Sequence, residues 1–144
     1  MAGATIISDS QRGFLEQVMQ KANFSDIYDA RDTTVVVFRT MRDIMTTEAA
    51  DRIDAAFKNR DIAKLWRDDN LIVRFLSRLR PPLEIDAEVF MRRIAQEGSV
   101  PKDVTPQGVV IAVFSTVKKE LPEAIVKEIS TYLPDGVQVL WEQI

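Results

Sequence analysis

Apolar residues recur at intervals of three and four along most of this chain, the spacing of amphipathic helices rather than of strands. The first stripe is Phe14, Val18 and Ala22. It follows Ser8-Asp9-Ser10-Gln11, which has the form of a capping box with Ser8 at the N-cap and Gln11 at N3. This helix is expected to end near Asn23. Ala30, Thr34, Val37, Phe38, Met41, Ile44 and Met45 continue at a period near 3.6 and predict a second helix over residues 29–45, capped by Asp29. Taken alone, the β-branched run Thr33 to Phe38 also reads as a buried strand, but the longer period favours the helix. After Thr46 a third helix carries Glu48 and Asp51 in its first turns, where the dipole favours acids. Its inner face is Ala49, Ala50, Ile53, Ala56 and Phe57. The segment Ile62 to Trp66 comes next, and Asp69 to Arg80 predicts a further helix displaying Leu71, Ile72, Phe75, Leu76 and Leu79. Arg80-Pro81-Pro82 ends it, because a residue before proline is pushed out of the α region.

The pattern then repeats. Sliding the sequence on itself by 76 positions places Phe14 on Phe90, Val18 on Ile94, Val37-Phe38 on Val113-Phe114, Ile53 on Ile129 and Phe57 on Leu133. A one-residue slip brings Ile62, Leu65 and Trp66 onto Val137, Leu140 and Trp141, so both tryptophans hold matching places. In the second half a helix opens at Asp86 with Val89, Phe90, Ile94 and Ala95 facing inward. Thr105-Pro106 starts another over 105–121, with Thr at N-cap and Pro at N1. A third opens at Pro122 and presents Ile125, Val126, Ile129, Tyr132 and Leu133. Leu133-Pro134-Asp135-Gly136 marks a break and turn before the second tryptophan. The expected fold is all-α: two pseudo-symmetric bundles of three to four helices from an internal duplication, residues 8–80 and 81–144. They would pack as one globular unit through the Arg80-Pro81-Pro82 hinge.

Three stretches carry a family resemblance. Arg42-Asp43-Ile44-Met45-Thr46-Thr47-Glu48-Ala49-Ala50-Asp51 resembles the core of the bacterial family called domain of unknown function 2267. Arg80-Pro81-Pro82 leading into Asp86 to Ile94 is similar to it as well, as is the end, Ile129 to Pro134 followed by Leu140-Trp141. The likeness spans about Gln11 to Trp141. It implies a tandem helical repeat without an established activity, and it brings no catalytic residue with it.

Composition narrows the chemistry. The chain has 144 residues, no Cys and no His. Disulfides, thiolate nucleophiles, Cys-ligated zinc and the Ser-His-Asp arrangement are therefore excluded, along with most transition-metal sites. The net charge of −3 offers no electrostatic footprint for nucleic acid. No signal-peptide pattern opens the sequence, and the longest apolar run, Val109 to Phe114, falls far short of a bilayer span. The expectation is a cytoplasmic protein without membrane or nucleic-acid partners.

Few constellations suggest a site. Asp26, Asp29 and Asp32 recur every three residues, and oxygen ligands suit Mg²⁺ or Ca²⁺. Acids at a helix start also serve the dipole, and the positions 76 further on are Lys102, Thr105 and Gly108, so no duplicated metal site exists. Arg74 and Arg78 lie beside Phe75, with Trp66 nearby, as in surfaces that grip phosphates or single-stranded nucleic acid. The same residues equally form one amphipathic helix with Asp68 and Asp69 at its start and arginines at its end. Trp66 and Trp141 read as core residues that close each half, or as anchors of a partner groove. Ser115-Thr116-Val117-Lys118 has the letters of a Ser-x-x-Lys motif but sits in mid-helix without its partner motifs. The expected function is a non-enzymatic helical module that binds another protein or itself, without metal or cofactor. Its candidate interaction residues are Trp66, Arg74, Phe75, Arg78 and Trp141. The alternative is a small-molecule binder with a pocket between the two halves, where Phe38, Phe114 and the tryptophans converge.

Overall fold

The computed structural model of the chain describes residues 7–67 and 81–144. Among them the regular structure is helical, without a strand. The order is α1 (Asp9–Ala22), α2 (Ile27–Asp43), α3 (Thr47–Ala56), α4 (Arg60–Trp66), α5 (Ala87–Glu97), α6 (Pro106–Val117), α7 (Glu123–Tyr132) and α8 (Asp135–Glu142). A short 3-10 turn, Lys118–Glu120, prolongs α6. The helix expected over Asp69 to Arg80 lies outside the described residues.

Side-chain caps set most of the helix starts. Ser8, Asp26, Thr46, Asn59, Asp86 and Thr105 each accept a hydrogen bond from a first-turn amide, satisfying donors that have no partner within the helix. The chain takes α2 up three residues earlier than expected. Asp26, not Asp29, is its N-cap and accepts from the Tyr28 amide at 2.7 Å, and Asp29 falls in the first turn. The capping box at α1 is only half made. Gln11 is buried, and its amide donates to the Asp61 carbonyl at 2.6 Å instead of turning back to Ser8. Helix α1 stops where Asn23 adopts a left-handed conformation, φ 62°. The Phe24 amide then reaches back to the Met19 carbonyl at 2.8 Å, which is the Schellman arrangement. Pro134 does break the chain, but Asp135 and Gly136 are the first residues of α8 rather than a turn.

A single apolar cluster runs through helices from both halves. At its centre are α2 and α6, which touch each other and are buried over most of their circumference. Helix α6 contributes Val109, Val110, Ala112, Val113, Phe114 and Val117 to the core, as a helix that is apolar nearly all round must. The outer helices cross over to cover this pair. Helix α1 packs on α6 as well as on α2, and α5 packs on α2 as well as on α6. Ala95, expected to face inward on α5, is exposed. Period alone cannot distinguish it from its buried neighbours, because α5 meets the core along the narrow line of Phe90 and Ile94. The segment between Pro81 and Asp86 is tied down where the Leu83 amide donates to the Asp43 carbonyl at 2.8 Å.

Contacts recur 76 residues apart, or 75 at the tryptophans. Thr40 donates to the Val36 carbonyl at 2.8 Å, and Thr116 donates to the Ala112 carbonyl at 2.7 Å. The indole N–H of Trp66 donates to the Ala50 carbonyl at 3.0 Å, and that of Trp141 to the Val126 carbonyl at 2.9 Å. Phe38 packs on Trp66 with ring centroids 5.5 Å apart, and Phe114 on Trp141 at 4.9 Å.

One close approach is open to test. A Cβ added at Gly136 would lie 2.9 Å from the Cβ of Ala87, an atom no rotamer can move. Alanine suits a helix better than glycine by up to about 1 kcal/mol, but overpacking here must part α8 from α5. Gly136→Ala is therefore expected to destabilise the protein by about 1–2 kcal/mol in urea unfolding. A gain in stability would show that the two helix ends slide past each other freely.

Candidate functional site

The five residues singled out from the sequence do not assemble into one visible site. Trp66 and Trp141 are 2% and 1% exposed, and they sit in separate aromatic groups. Phe14, Phe38, Phe57 and Trp66 pack together in one half, and Phe114 with Trp141 in the other. Among the described residues no ring pair bridges the two groups. Both indole N–H groups end on backbone carbonyls, which is how a buried tryptophan satisfies its single donor. Arg74, Phe75 and Arg78 lie outside the described residues. Phe38 and Phe114, expected to line a pocket between the halves, are wholly buried against their own tryptophans.

Other sequence motifs are absorbed locally. Asp26 caps α2, and Asp32 is exposed beside Arg31. Among the described residues no three His, Cys, Asp or Glu side chains gather as a metal-ligand group. The Ser115 hydroxyl donates to the Ala112 carbonyl at 3.2 Å. Lys118 turns away from it, donating to the Trp141 and Ile144 carbonyls at 2.6 and 2.8 Å, its ammonium 5.4 Å from the Trp141 ring centre.

Among the described residues, most of the side-chain polar chemistry that joins the halves lies in two seams and a clasp, and outside them the Ser99 amide donates to the Thr33 hydroxyl at 3.0 Å. The first seam runs between α2 and α5. Arg93 forks to Asp43 at 2.8 Å and to Glu97 at 3.5 Å, and Arg39 stands 4.0 Å from Glu97. The Asp43 side chain is only 3% exposed, so its charge requires such partners. Among the described residues, two acids and two bases meet here. The clasp is between α3 and α7, where Arg52 grips both oxygens of Glu128 through Nε at 3.2 Å and Tyr132 donates to the same carboxylate at 2.8 Å. Arg52 and Glu128 are themselves 76 residues apart.

The second seam runs between α1 and the end of α6, and its chemistry differs. Lys21 donates to the hydroxyls of Ser115 and Thr116, each at 3.1 Å, and Lys119 donates to the Gln17 side-chain carbonyl at 3.4 Å. Gln17, Lys21, Ser115 and Lys119 are the residues 76 positions from Arg93, Glu97, Arg39 and Asp43. The geometry of the first seam is thus kept while its carboxylates are replaced by lysines. Among the described residues neither lysine has a carboxylate within ion-pair distance. Partial burial and then the neighbouring Lys119 ammonium push the Lys21 pKa down. Sequence reading missed this seam, although the shift of 76 carries the signal: Lys21 falls on Glu97 and Lys119 on Asp43.

Fold and seams together define a class, an all-helical protein whose two halves interlock through matched polar contacts. The family model described as uncharacterized conserved protein (DUF2267) matches residues 11–140. The chain belongs to that family. No curated protein matches it. Among the described residues no helix is long and apolar enough to cross a membrane.

Two measurements follow from this geometry. Both tryptophans should emit in the blue and resist acrylamide in the folded protein, and strong quenching of either would contradict their burial. The second concerns acid. Burial raises the Asp54 pKa, but hydrogen bonds and charge from Arg67 and Arg60 outweigh it and hold the carboxyl below its usual range. Hydrogen bonds from Arg52 and then Tyr132 hold Glu128 below its range as well. Groups with depressed folded pKa values stabilise above their unfolded values near 4, and that contribution is lost as pH falls through the folded values. The urea midpoint should therefore drop between about pH 5 and about pH 3, and less steeply in Asp54→Asn with Glu128→Gln. Equal slopes would remove these two carboxylates from the acid response.

Proposed function

We propose that this protein works by binding rather than by chemistry, as a non-enzymatic helical interaction module. Its partner is another protein or a second copy of itself, in the cytoplasm, without nucleic acid, membrane or cofactor. Its architecture, on this reading, is two pseudo-symmetric bundles from an internal duplication. The threonine and seam contacts matched at 76 residues, and the indole contacts matched after a one-residue slip, support the duplication.

The observation that carries the functional reading is where the chemically capable side chains point. Asp54 faces Arg60 and Arg67, Asp61 accepts from Ser10, Glu128 holds Arg52 and Tyr132, and Glu142 accepts from Ser130. Lys118 is held by two carbonyls, and the aromatic rings fill the core against one another. A general acid or base needs a free group facing a substrate, whereas these groups face their own fold. What the described residues turn outward is helix surface, which suits recognition.

Native mass spectrometry of the protein purified from its own host tests this. An assembly heavier than the 16.4 kDa chain, built from protein subunits, is the expected result. A single chain, whether bare or carrying only a small molecule, would overturn it, whereas a small ligand on a protein assembly would not.

A further inference from the structure

We propose that the second seam is an anion site, in which the paired ammonium groups of Lys21 and Lys119 bind a phosphate group. The argument starts from the comparison of the two seams. The positions that hold Asp43, Arg93, Glu97 and Arg39 in the first seam sum to zero charge, and their counterparts Lys119, Gln17, Lys21 and Ser115 sum to +2. Two like charges on one interface repel, and an anion held between them turns that repulsion into attraction.

The donors are also arranged for an oxyanion. The Ser115 and Thr116 hydroxyls give their protons to the Ala112 carbonyl, so both can only accept from Lys21. Thr116 is 1% exposed and fixed in its rotamer by that bond, which anchors the Lys21 ammonium at the seam. An ammonium has three N–H donors. Lys21 uses two of them on the hydroxyls and Lys119 uses one on Gln17, leaving three between them. Three donors and a charge of +2 suit a tetrahedral dianion with several acceptor oxygens. A phosphate group near neutral pH carries about −1.5 to −2. A carboxylate offers one charge and two oxygens, and would leave the seam positive. This site is independent of whether the module's partner is a protein or a second copy of the chain.

The test uses the full chain and amide NMR, titrating sodium phosphate, glycerol phosphate, acetate and sodium chloride at matched ionic strength. Phosphate is expected to shift the amides around Gln17, Lys21, Ser115 and Lys119, with chloride and acetate much weaker. Lys21→Gln and Lys119→Gln should each weaken the phosphate response about tenfold or more, as loss of a charge-assisted hydrogen bond predicts. Lys119→Glu should abolish the response and raise the melting temperature, because it sets a carboxylate beside the Lys21 ammonium and brings the charge of the seam to zero. Binding of both phosphates supports a site for any phosphate group. Binding of glycerol phosphate alone supports one carried on an organic molecule, and binding of inorganic phosphate alone supports the free ion. Shifts no larger than those from chloride, equal binding by acetate, or an unchanged phosphate response in folded Lys21→Gln and Lys119→Gln would overturn the proposal.

Discussion

Everything in this fold depends on covering two central helices that are buried over most of their circumference. Neither α2 nor α6 can be shielded by a single neighbour, because one helix covers only a stripe of another. They pack on each other, and each also takes a flanking helix from either side of the chain. Their threonines, Thr40 and Thr116, return their hydroxyl protons to carbonyls one turn back, so polar atoms can lie in the apolar centre without losing a hydrogen bond. The exchange of flanking helices makes the halves interdependent, since removing either would expose the central helix of the other.

That exchange also produces two seams of similar geometry and different charge. In the first, Asp43 is nearly withdrawn from water, so its charge is held by Arg93 from across the seam. Breaking such a pair from one side is far more damaging than never having made it. In the second seam the lysines are exposed, and water can shield them well enough for the fold to stand. Structure therefore requires the salt bridges of the first seam but does not require the lysines of the second. A feature that stability does not demand is a reasonable place to look for recognition.

Helix existence and core faces were legible before any coordinates. Phe14, Val18, Val37, Phe38, Met41, Ile53, Phe90, Ile94 and Ile129 are all buried, and the Ser8, Thr46, Asp86 and Thr105 starts stand where their residue types place them. The errors share a cause. At α2, Asp26 and Asp29 were equally good caps by type, and the earlier one captured the Tyr28 amide. Gln11 would complete a capping box in an isolated helix, but the Asp61 carbonyl, 50 residues away, offered a buried partner. Gly136 read as a turn because glycine is usually a breaker. Here a helix starts directly after Pro134, and the missing side chain lets it approach Ala87.

What the sequence by itself determined is helical period, caps, and the apolar stretches that end in Trp66 and Trp141. These are local properties, set by hydrogen bonds and side chains within a few residues of each other. Only the tertiary structure decided which helix covers which, and so which charges meet. Lys21 and Lys119 are 98 positions apart and unremarkable in isolation. They face each other because α1 and α6 must be buried together, and that pairing follows from burial of apolar surface that carries no charge at all.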